Sequence, residues 1–145
     1  MRPNDSRQTL IDLLHAEEAS CVIRNGDTIR IFRQRGVKDL FGLLKQEPEF
    51  LAGAVVADRI VGKGAAALLV LGGVRALCTD TVSEAALELL RAAAVEVACG
   101  TVVPHIINRT GTGICPVEAL CSDCRTAEEC LPRIEAFLQK IAQNQ

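Results

Sequence analysis

Apolar positions along the first third of the chain change from helical spacing to strand-like runs. Helical periodicity predicts a first helix over residues 5–19, with Asp5 or Ser6 as its N-terminal cap. Two short apolar segments, 21–24 and 28–32, are separated by the Asn25-Gly26 pair. Both residues of that pair tolerate positive φ angles, so the segments are predicted to form a β-hairpin.

The middle of the chain is dominated by one uninterrupted apolar run. Segment 37–45 has apolar residues at helical spacing, and Pro48 is predicted to end that helix. No helix or strand is predicted for the apolar segment over residues 54–61. The run 65–71 follows, rich in Ala and Leu and without a polar face, and it predicts a buried helix that stops at the glycines 72–73.

Strands and helices alternate in the second half of the chain. The predicted elements are a strand over 74–78, a helix capped by Asp80, Thr81 or Ser83, a strand over 95–99 that extends or resumes over 102–107, a helix opening at Pro116, and a final helix from Thr126 or Pro132 to about Ala142. We therefore expect one α/β domain over residues 1–145, a three-layer α-β-α sandwich with a mixed sheet.

The amino-acid composition of the chain argues against several classes of function. Apolar residues make up 49% of the chain and the formal net charge is −2, which indicates a globular protein without electrostatic attraction to nucleic acid. The chain has four Phe and no Tyr or Trp, so it lacks the stacking rings of single-strand binders. No signal peptide or membrane-spanning run is visible, and we expect a cytoplasmic protein that binds neither nucleic acid nor membrane.

Four stretches of the sequence carry a family resemblance in addition to this order of elements. They are 22–35, 58–63, 104–109 and 113–118. With these stretches the chain resembles the cytidine-deaminase fold, and it is similar to a bacterial family of unknown function assigned to that fold. The resemblance covers most of the chain and implies a fold without naming a reaction.

The zinc chemistry of active deaminases is missing from the sequence. Those enzymes carry His (or Cys)-x-Glu at the start of the buried helix and Pro-Cys-x-x-Cys at the start of the next. The corresponding positions here read Lys63-Gly64-Ala65-Ala66 and 79–83, without the zinc ligands or the glutamate. Deamination is therefore not expected, no cofactor is indicated, and whether the protein is an enzyme stays open.

A turn-rich loop with a positive charge suggests a site for a small anionic or nucleotide-like ligand. Glycines free backbone N–H groups to face an anion, and a helix follows the loop. The candidate ligand-binding residues are Asp58, Lys63, Gly64, His105, Asn108, Arg109, Thr110, Gly111, Thr112, Gly113 and Glu118. Two structural alternatives remain: Lys63 pairs with Asp58, and Glu118 completes a capping-box-like arrangement with Cys115.

The cysteines offer a second kind of chemistry. Cys115 lies at a predicted helix N-terminus, which stabilises a thiolate, so it is the candidate catalytic or redox residue. Cys121, Cys124 and Cys130 follow it at spacings that suit a metal knuckle, a disulfide or buried free thiols. A thiol enzyme or redox sensor, a metal-binding module and a structural subunit are the alternatives to ligand binding. A homo-oligomer is also expected from the fold resemblance and the apolar composition.

Overall fold

A computed structural model describes residues 3–34, 37–107 and 111–143. Its elements are α1 (Pro3–Ala16), β1 (Cys21–Asn25), β2 (Thr28–Phe32), α2 (Lys38–Gln46), α3 (Pro48–Leu51), β3 (Val55–Val61), α4 (Lys63–Gly72), β4 (Ala76–Ser83), α5 (Glu84–Ala92), β5 (Glu96–Val103), α6 (Pro116–Leu120) and α7 (Ala127–Gln143). None of the described helices combines the length and the apolar character that a membrane crossing needs.

The five strands form one mixed sheet in the order β2-β1-β3-β4-β5. Strand β1 is antiparallel to both β2 and β3, whereas β3, β4 and β5 are parallel. This confirms the α/β class and the mixed sheet. The central strand β3 is the element that the sequence pattern left unassigned, because Asp58 and Arg59 interrupt its apolar alternation.

The predicted hairpin is present, with its turn displaced by one residue. Asn25 pairs with Thr28 inside the ladder, and the two turn residues are Gly26 and Asp27. Gly26 has a φ of 61°, the left-handed conformation that glycine adopts without steric cost. The Asn25 side chain instead donates hydrogen bonds of 2.9 Å to the carbonyl oxygens of Phe50 and Ala52. Asn25 therefore ties the hairpin to α3.

Helices lie on both faces of the sheet. The position of α4 among them explains why the sequence of this helix has no polar side. Helix α1 packs on one face, where Leu10 and Leu14 meet Val22 and Ala57. On the other face α4 contacts β3, and it is also in contact with α2, α5, α6 and α7. Almost every surface of α4 is covered, so the prediction of a buried helix is confirmed. Gly73, at φ 76°, ends it.

Several predicted element ends are corrected by the structure. Helix α1 begins at Pro3 and ends at Ala16, so Asp5 and Ser6 lie inside the helix and not at its predicted first position. Strand β5 includes the first two residues of the predicted continuation over 102–107 and stops at Val103, and beyond it Ile107 makes an isolated bridge to Ile114. Pro104 cannot donate to a strand ladder, which accounts for the early end.

The structure also gives the ends of β4 and α7, which the sequence predicts only in part. Strand β4 is longer than predicted and runs to Ser83, whose hydroxyl accepts a hydrogen bond of 3.3 Å from the Ala86 N–H and caps α5. Asp80 and Thr81 therefore belong to the strand. Helix α7 begins at Ala127 and continues through Pro132.

Candidate functional site

Three chain segments converge at the end of the sheet where the parallel strands finish. Helix α4 begins at Lys63 directly after β3, helix α5 follows Ser83 at the end of β4, and Ile106 lies a few residues beyond β5. Helix α6, which opens at Pro116, brings Glu118 to all three. We call these four residues, Lys63, Ser83, Ile106 and Glu118, the Glu118 junction.

Glu118 is 4% exposed, and both of its carboxylate oxygens accept hydrogen bonds. Oε1 accepts from the Lys63 backbone N–H at 3.1 Å and from the Ser83 hydroxyl, and Oε2 accepts from the Ile106 N–H. A carboxylate with several donors can remain buried because the bonds replace its lost hydration. The predicted capping box with Cys115 is wrong, since no side chain caps α6. Glu118 instead joins segments that are distant in sequence.

Lys63 is buried at 8% exposure, and its ammonium group contacts the segment between α6 and α7. Its Nζ donates to the carbonyl oxygens of Ser122, at 3.2 Å, and Cys124. Among the described residues no ion pair joins Lys63 to Asp58, which was the structural alternative considered for this lysine. The ammonium is thus satisfied by the segment between α6 and α7.

Gly64 is required by the close approach of α4 to α6. A Cβ atom at Gly64 would overlap the Val117 side chain, and the same atom would be 3.7 Å from the Cys121 Sγ. At Gly62 a Cβ atom would be 3.3 Å from the Glu118 Oε1. The two glycines on either side of Lys63 therefore allow α6 to pack close enough for Glu118 to reach its donors.

Asp58 lies on β3 in a different electrostatic environment. It is half-buried, and its Oδ1 accepts a backbone hydrogen bond of 3.4 Å from Ile60, while the Arg59 backbone supplies another. Burial raises the pKa of Asp58 to about 7, although backbone hydrogen bonds act in the opposite direction. Its register partner on β1 is Cys21, whose thiol pKa is raised by burial and by the nearby Asp58 and Asp39 carboxylates.

The predicted ligand loop follows Ile106 of the Glu118 junction, and its described residues are exposed. Ile107 and Ile114 form a bridge that closes the loop, and the Cys115 N–H donates to the Ile106 carbonyl oxygen at 2.8 Å. His105, Gly111, Thr112 and Gly113 are exposed, and Cys115 is half-buried. Asn108, Arg109 and Thr110 lie outside the described residues. We call the segment 107–114 the bridge loop.

The predicted site residues that the structure describes therefore fall into two groups, with Asp58 apart from both on β3. Lys63, Gly64 and Glu118 are buried at the junction, whereas the described residues of the bridge loop face solvent. In the described ranges, no three His, Cys, Asp or Glu side chains are arranged to hold a metal ion. A groove of about 440 Å³ lies elsewhere, between α2, the end of β2 and Leu138, and none of the predicted site residues lines it.

Sequence reasoning did not foresee the partners of these residues. The sequence indicates Ser83 only as one of three possible helix caps, and Ile106 only as part of the strand continuation 102–107 and the resemblance stretch 104–109. The carbonyl oxygens of Ser122 and Cys124 leave no trace in sequence, because any residue supplies a carbonyl. The one usable signal was the glycine on each side of Lys63, which marks a place where another chain segment comes close.

Comparison with known proteins gives a family and a fold. The chain matches the family described as "Domain of unknown function (DUF1893)" over residues 9–138. The crystal structure of a DUF1893 family protein from Thermotoga maritima is similar, with a TM-score of 0.83 and 24% sequence identity over 94% of this chain and 91% of that chain. No curated protein matches the chain. The family match extends over nearly the whole sequence, and the chain belongs to the DUF1893 family.

Proposed function

We propose that this domain binds a small anionic, nucleotide-like ligand at the bridge loop, and that it does not carry out zinc-dependent deamination. The observation that carries the proposal is the Glu118 junction, in which one carboxylate fixes the starts of α4 and α5 and the segment after β5. Open α/β sheets bind ligands outside the carboxyl ends of their strands. The junction supplies a hydrogen-bonded floor at that position, and the exposed residues 111–114 of the bridge loop lie beside it.

The strand order supports the deaminase-like part of this proposal. An antiparallel β1–β2 pair followed by parallel β3, β4 and β5 agrees with the resemblance seen in the sequence. Zinc deaminases place their metal ligands and their catalytic glutamate at the two helix starts after the parallel strands. Here those starts carry Lys63 and Ser83, and the nearby Glu118 already accepts from three donors. Such a site suits a structural role for the glutamate.

The ligand contacts are proposed to come from the bridge loop and its neighbours. Gly111, with a φ of 72°, and Gly113 are exposed, and a backbone of this kind can turn its N–H groups toward an anion. Arg109 would supply the positive charge, and His105 would supply a hydrogen-bond donor. Lys63 has its ammonium bound to carbonyl oxygens, so its proposed contribution is to hold the floor of the site.

Thermal unfolding of the full chain with a panel of nucleoside mono-, di- and triphosphates and inorganic phosphate tests this function. We expect at least one of these anions to raise the Tm of the wild type, because a ligand that binds only the folded state stabilises it. Arg109→Ala should abolish that increase, whereas Arg75→Ala, at the opposite end of β4, should keep it. Absence of any stabilising anion, or an unchanged response of Arg109→Ala, would contradict the proposal.

Cys115 supports a second candidate function, a thiol enzyme or sensor. It directly precedes α6 at the edge of the bridge loop, and its backbone is fixed by the bond to Ile106. If its thiol is activated, iodoacetamide should modify half-buried Cys115 faster than exposed Cys99 at neutral pH. Equal or slower modification of Cys115 would reject this function.

We further propose a cytoplasmic homodimer that forms through the edge strand β5. Its residues are exposed or partly exposed, Val102 is 45% exposed, and its only charged residue is Glu96. Long edge strands without Lys or Pro favour pairing with another strand edge, and a second copy offers an identical one. Native mass spectrometry should show a dimer that Thr101→Lys converts to monomer. A monomeric wild type would exclude this interface.

A further inference from the structure

The Asn25-Gly26 pair is a chemically reactive sequence as well as a turn. The side-chain carbon of an asparagine can be attacked by the backbone nitrogen of the next residue, and glycine hinders this attack least because it has no side chain. Asn25 is the one asparagine of the chain that a glycine follows. Gly26 is exposed, and a Cβ atom at its position would meet no other atom within 4 Å. The local sequence and the open turn therefore favour cyclisation of Asn25.

The fold opposes this reaction because the Asn25 side chain is held by carbonyl groups of α3 and of the residue after it. The Nδ2 atom donates hydrogen bonds of 2.9 Å to the carbonyl oxygens of Phe50 and Ala52, and a longer one of 3.4 Å to that of Glu49. An amide nitrogen carries two hydrogens, so both are used. Cyclisation requires the side-chain carbon to turn onto the Gly26 nitrogen and Nδ2 to leave. The hydrogen bonds to the α3 segment oppose both changes.

Helix α3 links the hairpin to the core of the domain. Phe50 and Leu51 are 8% and 0% exposed. On the hairpin side, the Arg30 guanidinium lies 4.1 Å from the centroid of the Phe50 ring and donates two hydrogen bonds of 3.1 Å to the Glu47 carboxylate. On the core side, a Cβ atom at Gly72 would lie 2.8 Å from the Leu51 side chain. A change at Asn25 therefore acts on a segment that packs against the C-terminal end of α4.

A carboxylate at position 25 cannot take over the bonds of the amide. The atoms that face Nδ2 are carbonyl oxygens, which accept hydrogen bonds and donate none. An aspartate would bring only acceptor oxygens and a negative charge to them, so the bonds are lost and the oxygens repel one another. An isoaspartate would also add a carbon atom to the backbone at the strand end that pairs with Thr28. Either product separates the hairpin from α3.

We propose that Asn25 is a deamidation site that the docking of α3 protects, and that its conversion releases α3 from the hairpin irreversibly. The Gly26 backbone nitrogen attacks the side-chain carbon of Asn25 and loses its proton. The bond from that carbon to Nδ2 breaks, and Nδ2 leaves as ammonia with this proton. Water then opens the cyclic imide at either of its carbonyl groups and gives aspartate or isoaspartate. One water is consumed, one ammonia is released, and no oxidant or reductant takes part.

Peptide mapping of the full chain measures this protection independently of ligand binding. The protein is incubated in mildly alkaline buffer with and without denaturing guanidinium chloride, digested briefly with trypsin and analysed by mass spectrometry. Conversion appears as the exchange of ammonia for water in peptide 25–30, or in peptide 8–30 where an isoaspartate prevents cleavage after Arg24. We expect conversion to be slower in the folded protein by roughly tenfold or more, because it requires local opening. Equal rates in both conditions, or no conversion in the denaturant, would overturn the proposal.

Variants test the release of α3, and the wild-type map decides on protection even where a variant fails to fold. Asn25→Asp reproduces one product, and Asn25→Ala removes the donors without adding a charge. We expect faster hydrogen exchange at the bonded N–H groups of Phe50, Ala52 and Ala54 in both variants, with the larger increase in Asn25→Asp. Asp27→Ala, in the exposed turn, should leave this exchange unchanged. Equal exchange at these groups in Asn25→Asp and the wild type would overturn the release of α3.

Discussion

Two carboxylates near the end of β3, Glu118 and Asp58, show how differently the same group behaves in one fold. Glu118 is the more buried of the two, yet three donors bind its oxygens. Asp58 is half-buried and accepts backbone hydrogen bonds from Ile60, at 3.4 Å, and from Arg59, yet burial still raises its pKa to about 7. Glu118 differs in that its three donors come from three separate chain segments, so this carboxylate can hold those segments together.

Glu118 and Asp58 therefore have different roles at the candidate site, one in holding segments together and one in pH dependence. A carboxylate fixed by three donors is suited to hold a floor, and we assign that role to Glu118. A carboxyl that gains or loses its proton near neutral pH makes stability depend on pH, and Asp58 has that property. The predictions below test these assignments, beginning with the largest expected effect.

Removal of the Glu118 carboxylate should produce the largest loss of stability. Glu118→Ala leaves the Lys63 and Ile106 N–H groups and the Ser83 hydroxyl without their acceptor, at roughly 1–3 kcal/mol for each buried group. We expect a decrease of about 3 kcal/mol or more in the free energy of unfolding, measured by urea denaturation.

A matched control distinguishes this effect from the general loss of a glutamate. Glu88→Ala changes an exposed residue of α5 and should alter stability by no more than about 0.5 kcal/mol. Glu118→Gln keeps an acceptor and should lie between the two. Equal stability of Glu118→Ala and Glu88→Ala would remove Glu118 from its assigned role.

A methyl group added at Gly64, on the α4 side of the contact with α6, should also destabilise the Glu118 junction. Gly64→Ala forces the new Cβ atom into Val117, the neighbour of Glu118, and overpacking of this kind costs about 1–3 kcal/mol. Gly113→Ala is the control, because a Cβ atom there meets no other atom within 4 Å. If chemical denaturation finds both variants equally stable, the close approach of α4 and α6 is not needed.

Asp58 should make a smaller contribution, visible as a pH dependence. Its pKa is raised from 3.8 to about 7, so the folded state binds the proton more tightly than the unfolded chain. Stability from this group is complete below pH 3.8 and is lost as the pH rises through about 7.

Asp58→Asn should therefore flatten the stability profile across that pH range. We expect a change of about 1–2 kcal/mol after allowing for solvent screening of a half-buried group. Urea denaturation at a series of pH values measures it. Parallel profiles for wild type and variant would show that Asp58 does not titrate abnormally.

Local signals in the sequence predicted much of the fold. The hairpin followed from Asn25-Gly26, and the buried helix followed from an apolar run without a polar face, because both depend on neighbouring residues. Strand β3 was missed because Asp58 and Arg59 break its apolar pattern, while tertiary contacts with β1 and β4 hold it in the sheet centre.

The candidate site was less accessible to sequence reasoning. The sequence indicates both Glu118 and Lys63 as ligand-binding residues, one beside a loop and one in a pocket. In the structure both residues bind partners that lie far away in the sequence, and the sequence pattern does not reveal those partners. The Glu118 carboxylate meets a backbone N–H 55 positions earlier, and Lys63 meets a carbonyl oxygen 61 positions later. Backbone partners carry no residue-specific signal, so only the folded chain reveals them.

Amide chemical shifts of ¹⁵N-labelled protein, titrated with nucleoside phosphates, test the central claim that an anion binds beside the Glu118 junction. The account predicts saturable shifts concentrated in residues 105–115, with the groove between α2 and Leu138 unaffected. Shifts confined to that groove, or no saturable shifts with any member of the panel, would contradict it.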